Sequence, residues 1–100
     1  FIFAYHGGTS PENPGEMEKT MNAWMAWFQS MGSAVVDGGN PVGLSKTITA
    51  NGVEDNGGAN PLSGYSLVEV ADMEAAVELA KGCPITESGG TVEVAECIPM

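Results

Sequence analysis

Phe1-Ile2-Phe3-Ala4-Tyr5-His6-Gly7-Gly8 is an apolar run that stops at the only histidine of the chain and a glycine pair. Its β-branched and aromatic content predicts a buried strand over residues 1–5. A second run, Val35-Val36-Asp37-Gly38-Gly39-Asn40-Pro41, also ends at a polar residue followed by two glycines. We read the pair as two strand ends facing one small pocket.

Between them, Asn13-Pro14-Gly15-Glu16 starts a helix, with Asn as the cap, Pro in the first turn and Glu placed to complete a capping box. The helix is expected over 14–31 and closes at Gly32. Met17, Met21, Trp24, Phe28 and Met31 recur at helical spacing, and Met25 and Trp27 widen the stripe. Core packing explains such a face, but it is broad enough to line a cavity or a subunit contact as well, because thioethers adapt to irregular surfaces.

After the second strand, 44–50 alternates like a half-exposed strand and Asn51-Gly52 is a turn signal. Residues 53–61 are rich in Asn, Gly and Asp and read as a loop that can hold a hairpin. The longest strand signal follows at 62–70. Asp72 then caps a second helix over 73–81, which Gly82-Cys83-Pro84 ends, and 91–98 forms the last strand.

The order is β-α-β-β-α-β with a strand or hairpin inserted after Asp37. Two interleaved right-handed βαβ units give a ferredoxin-like α+β fold in which the first and third core strands are neighbours. Both helices then cover one sheet face. The bare apolar face opposite predicts a homodimer formed through it.

One hundred residues make one domain, spanning 1–100, with a modest core. Thirteen acidic residues stand against three lysines and no arginine, for a net charge of −10. Such a chain repels phosphate backbones and anionic lipid, so neither nucleic acid nor membrane is expected as a partner. It also lacks the guanidinium fork that grips carboxylates and phosphates. Mean hydropathy near zero argues against a spanning segment. Phe1 opens directly in a strand-like run, so no signal peptide is expected, and the missing initiator Met suggests that a few residues precede it. Cys83 and Cys97 flank the last strand, too far apart to pair, and reduced thiols fit a cytoplasmic setting.

Tyr5-His6-Gly7-Gly8, Trp24-Met25-Ala26-Trp27-Phe28, Asp37-Gly38-Gly39-Asn40-Pro41, Leu62-Ser63-Gly64-Tyr65, Ala80-Lys81-Gly82-Cys83-Pro84 and Gly89-Gly90-Thr91-Val92-Glu93-Val94 occur in an order and spacing that resemble the YCII-related, or DGPF, domain family. The resemblance covers nearly the whole chain. It implies the dimeric α+β barrel superfamily, which holds isomerases, dehalogenases, cofactor-free monooxygenases and haem enzymes, so fold says little about reaction. A histidine and an aspartate proposed as the family's active site carry over to His6 and Asp37. The Asp-Gly-Pro-Phe signature itself is absent; the nearest segment is Asp55-Asn56-Gly57-Gly58-Ala59-Asn60-Pro61.

In this topology His6 and Asp37 are expected at one end of the sheet, with Ser63 and Tyr65 entering between them. An imidazole whose tautomer is fixed by a carboxylate can abstract a proton while a phenol or glycine amides hold an oxyanion. The plainer alternative has His6 bonding a loop and Asp37 serving its glycine turn. The candidate catalytic residues are His6 and Asp37, and the candidate ligand-binding residues are Tyr65, Ser63, Trp24 and Phe28. One His with scattered carboxylates gives no metal-ligand spacing, and no segment calls for a cofactor. The leading function is binding of a small organic molecule between the sheet and helix one, with His/Asp acid–base chemistry. The alternatives are a non-catalytic ligand-binding or protein-interaction module and a cofactor-free monooxygenase-like enzyme.

Overall fold

The computed structural model describes residues 1–8, 13–56, 58 and 61–99. The portions of the expected 7–13 and 53–61 loops at residues 9–12, 57, 59 and 60 lie outside the described residues. The elements run β1 (Ile2–His6), α1 (Pro14–Met31), β2 (Val35–Asp37), β3 (Thr47–Thr49), β4 (Gly52–Glu54), β5 (Leu62–Val68), α2 (Met73–Ala80) and β6 (Thr91–Ala95), with 3₁₀ turns at Gly32–Ala34 and Pro84–Ser88. The main sheet has the order β2-β5-β1-β6, and β1 is antiparallel to both neighbours. The architecture is α+β and ferredoxin-like.

Local chemistry fixes the helix ends. The Asn13 side chain accepts the Glu16 N–H at 2.8 Å, with Pro14 in the first turn, and Asp72 accepts the Ala75 N–H at 2.8 Å. Along β1 and β5 the alternate residues Phe3, Tyr5, Gly64, Ser66 and Val68 are buried on one face, where both helices pack. Trp27 joins the helices, donating its indole N–H to the Leu79 carbonyl at 2.9 Å. Its ring stacks on Phe3 at 6.0 Å, and Trp24 meets Tyr5 edge-on at 5.1 Å. Such pairs contribute about 0.5–1.5 kcal/mol each beyond area burial, whereas the exposed pairs Lys46–Asp55 and Lys81–Glu78 belong to a class worth about 0–1 kcal/mol. The aromatic layer therefore dominates.

Three expectations change. The stripe on α1 is buried only in its second half: Trp27 and Met31 are buried and Trp24 and Phe28 half-buried, while Met17, Met21 and Met25 are 50%, 58% and 56% exposed. The core aromatics of β1 engage the last two turns of the helix, and its first turns lie beyond them. The expected strand at 44–50 shrinks to β3, which pairs with β4 as a hairpin apart from the main sheet. Its loop is Ala50-Asn51, one residue earlier than the Asn-Gly signal suggests, and Gly52 opens the return strand with φ of 134°. Two strands also end short: the one expected over 62–70 stops at Val68, and the last stops at Ala95 rather than continuing to 98.

The link from β2 to the pocket depends on one glycine. Gly39 has φ of 72°, and a Cβ there would run into the Tyr65 carbonyl. Gly39→Ala is expected to destabilise the fold by about 2–3 kcal/mol in chemical denaturation. Gly43→Ala, which meets open space, should change stability by less than about 0.5 kcal/mol.

Both cysteines are free, Cys83 buried and Cys97 exposed. Burial pushes the Cys83 thiol up to about 11, against the opposing hydrogen bond from the Ile85 backbone. Its contribution to stability is intact below the unfolded thiol value of 9.0 and is lost as pH rises through about 11. Iodoacetamide at pH 8 should therefore label Cys97 alone, with Cys83 modified only in denaturant, as peptide mass mapping would read.

Candidate functional site

A cavity of about 380 Å³ opens between α1, the β1–β5 pair and the segment that follows β2. It is lined by Tyr5, Trp24 and Phe28 together with the Gly38–Pro41 segment, Ser63–Tyr65 and Ile85. The four residues proposed from sequence to bind a ligand, Trp24, Phe28, Ser63 and Tyr65, thus meet at one cavity. That volume lies at the low end of ligand pockets, and no charged side chain lines it.

Its shape follows from two irregularities in β5 pairing. Tyr5 pairs with Gly64 but His6 pairs with Leu62, so Ser63 is an extra residue in that strand, a β-bulge. On the other edge Val35 pairs with Val68 and Asp37 with Leu67. The chain then leaves regular pairing and descends alongside β5 as the Gly38–Pro41 segment. It is held there by Tyr65 N–H to the Asn40 carbonyl at 3.3 Å and Val42 N–H to the Ser63 carbonyl at 3.0 Å.

Behind the cavity wall, Tyr5 donates its hydroxyl proton to Ser66 Oγ at 2.7 Å, and Ser66 donates to the Gly38 carbonyl at 2.6 Å. Ser66 has no exposed surface, and this chain satisfies it. Burial pushes the Tyr5 phenol up to about 12, opposed by the Ser66 hydrogen bond, so the hydroxyl remains a committed donor through neutral pH. In contrast, the Ser63 hydroxyl oxygen is buried and has no hydrogen-bond partner among the described residues.

The expected meeting of His6 and Asp37 does not occur. Asp37 is level with Leu67, which also faces Ile2 at the opposite end of β1 from His6. Four residues of strand, about 13 Å, and two strand spacings of about 4.8 Å separate them. The reason is local: Asp37 Oδ1 accepts the Gly39 N–H at 2.8 Å and turns the chain before it reaches the level of His6. His6 instead lies within 3.1 Å of Glu93 Oε1 through Nε2 and 3.2 Å of the Pro61 carbonyl through Nδ1. Both partners are acceptors, so which of the two bonds a neutral ring donates depends on its tautomer. Neither His6 nor Asp37 lines the cavity.

Sequence reasoning did not identify Glu93 as the histidine's partner, nor Ser66, Tyr5 and Ile85 as parts of the site. Glu93 is brought beside His6 by the β1–β6 register, in which Ala4 faces Glu93 and His6 faces Thr91, and no local motif announces that pairing. Among the described residues no group of three His, Cys, Asp or Glu is placed to hold a metal ion. No helix among them is long and apolar enough to cross a membrane.

No family model matches the sequence, and no curated protein matches it. Among solved structures, 5-chloro-2-hydroxyhydroquinone dehydrochlorinase from Burkholderia phenoliruptrix, in complex with 2,5-dihydroxybenzoquinone, is similar in fold. It superposes with a TM-score of 0.50 at 15% sequence identity, covering 96% of this chain and 94% of that one. At that identity the likeness is one of fold, and it extends over the whole βαββαβ unit.

Proposed function

We propose that this protein binds a small organic molecule in the cavity between α1 and the sheet, as a YCII-related member of the dimeric α+β barrel superfamily. The observation that carries the reading is the convergence of Tyr5, Trp24 and Phe28 on a cavity of about 380 Å³ that no charged side chain lines. Trp24 and Phe28 stay half-buried, so aromatic surface on this wall is left over from core packing. The similar dehydrochlorinase was solved with a one-ring ligand, so one-ring compounds are sensible first probes.

The same reading has two copies packed through the sheet face away from the helices. Register puts Ile2, Ala4, Tyr65, Leu67 and Ala95 on that face together with His6, Glu93 and Thr91, and its apolar members suit a second copy in a cytoplasmic protein. A proton-transfer role is a second reading, favoured by the 3.1 Å contact between His6 and Glu93. In it His6 moves the proton, Glu93 orients the imidazole, and Asp37 acts indirectly by shaping the Gly38–Pro41 wall.

The test is a titration of one-ring and two-ring compounds followed by tryptophan fluorescence. Phe28→Ala and Trp24→Phe should each weaken binding by about tenfold, with Trp27 as the remaining reporter in the second variant. His6→Ala should leave binding within about twofold and lower any turnover detected. Saturable binding unaffected by either cavity substitution would reject the reading.

A further inference from the structure

We propose that β6 is a docking edge for an extended peptide of a partner protein, one with apolar side chains at alternate positions and lysine or arginine between them. This surface shares no residue with the cavity lining and is independent of the reading above. In the order β2-β5-β1-β6 the two outer strands are β2 and β6. β2 has three residues and its register with β5 slips, two features that blunt an edge. β6 has five residues in unbroken register with β1 and contains neither proline nor lysine. Among the described residues β1 is its one strand neighbour.

Backbone alternation determines what that edge presents. Phe1 and Val68 exchange both of their backbone bonds, so residues 1, 3 and 5 turn their backbone groups toward β5, and residues 2, 4 and 6 turn theirs toward β6. Ile2, Ala4 and His6 therefore bond Ala95, Glu93 and Thr91, which leaves the N–H and C=O groups of Val92 and Val94 pointing out of the sheet. The side chains of these two valines lie on the helix side, since Val92 pairs with Tyr5 and Val94 with Phe3. There an open groove of about 420 Å³ lies between strand and helix, with Met73, Val77 and Ala80 of α2 along one wall and Val92 and Val94 along the other. Met73 and Val77 are 40% and 37% exposed, and Lys81, also in the lining, is held by Glu78 at 2.8 Å. An open strand edge beside an apolar groove is the arrangement by which strand-adding domains take extended peptides: main-chain bonds supply affinity, and the groove receives every second side chain.

The same geometry dictates the sequence of the occupant. On a strand added to β6, side chains alternate between the helix side and the side opposite. Those on the helix side meet the apolar groove. Those on the other side stand beside Thr91, Glu93 and Ala95, and the Glu93 side chain, at the middle of β6, is 67% exposed even with His6 beside it. Between residues 72 and 96, Asp72, Glu74, Glu78, Glu87, Glu93 and Glu96 stand against Lys81 alone, so the surrounding field favours a cationic strand. A second copy is a poorer occupant. The two-fold pairing that satisfies both outward valines, each Val92 against the other copy's Val94, sets Glu93 directly opposite its own counterpart, and like charges so placed repel.

A capped peptide alternating lysine and valine is the probe, titrated into the full chain and followed by amide resonances. Binding is expected to saturate, with the largest shifts and the slowed hydrogen exchange at the Val92 and Val94 amides. A peptide of the same composition, with its lysines and valines in separate blocks, should bind about tenfold more weakly, and one alternating glutamate and valine more weakly still. Val94→Pro deletes an N–H that β1 does not use and should weaken the alternating lysine peptide by about tenfold. Val77→Lys leaves the sheet untouched, sets a charge in the groove and should weaken it as much. Equal binding of the alternating and block peptides would mean attraction by charge alone and overturns the proposal. Shifts centred elsewhere in the chain, an absence of saturable binding, or binding unchanged by Val77→Lys overturn it as well. Concentration-dependent shifts at Val92 and Val94 without peptide would name a second copy as the occupant, and the proposal would fall.

Discussion

The packing of α1 against β1 through aromatic rings is the constraint on which the rest depends. Phe3 and Tyr5 project from one strand, Trp24, Trp27 and Phe28 from one helix, and their centroids lie 5.1–6.3 Å apart. The cavity opens beside that contact, with Tyr5, Trp24 and Phe28 in both. The core and the cavity are two parts of a single aromatic layer. Tyr5 belongs to both: its ring is wall and its hydroxyl is bonded into the interior through Ser66.

The fold was legible because its signals are local and agree with one another. Asn13 and Asp72 mark helix starts, Gly32 and Pro84 mark ends, and the runs 1–5 and 62–70 have strand chemistry, the second pairing as far as Val68. The cavity walls were legible in part, since Trp24 and Phe28 announce themselves on the helix and Ser63-Gly64-Tyr65 sits in an unmistakable strand. Register was not. A strand that stops one residue early or gains one extra residue looks the same in sequence, yet it decides that Asp37 faces Leu67 and that His6 reaches Glu93. The exposure of Met17, Met21 and Met25 is a similar case: helical periodicity gives the direction of a face but not how much of its length meets the sheet.

Asp37 and Ser63 show two ways in which a short polar side chain shapes a site. Asp37 accepts a backbone proton two residues on and thereby ends a strand, setting the course of the segment that becomes a wall. Ser63 makes no such local bond, although serine usually finds one. The contrast separates a residue that builds the cavity from one that the cavity leaves open. The aspartate matters through geometry, and the serine hydroxyl is left without a hydrogen-bond partner among the described residues.

The β3–β4 hairpin stands apart from all of this. Its cross-strand pair Ile48 and Val53 is 75% and 62% exposed, and its ladder does not join the main sheet. A two-stranded ribbon of this kind is marginal in water on its own, and its opening need not disturb the aromatic layer. The 47–54 ribbon can therefore open and close while the cavity, lined by Gly38–Pro41 on one side and β5 on the other, keeps its walls.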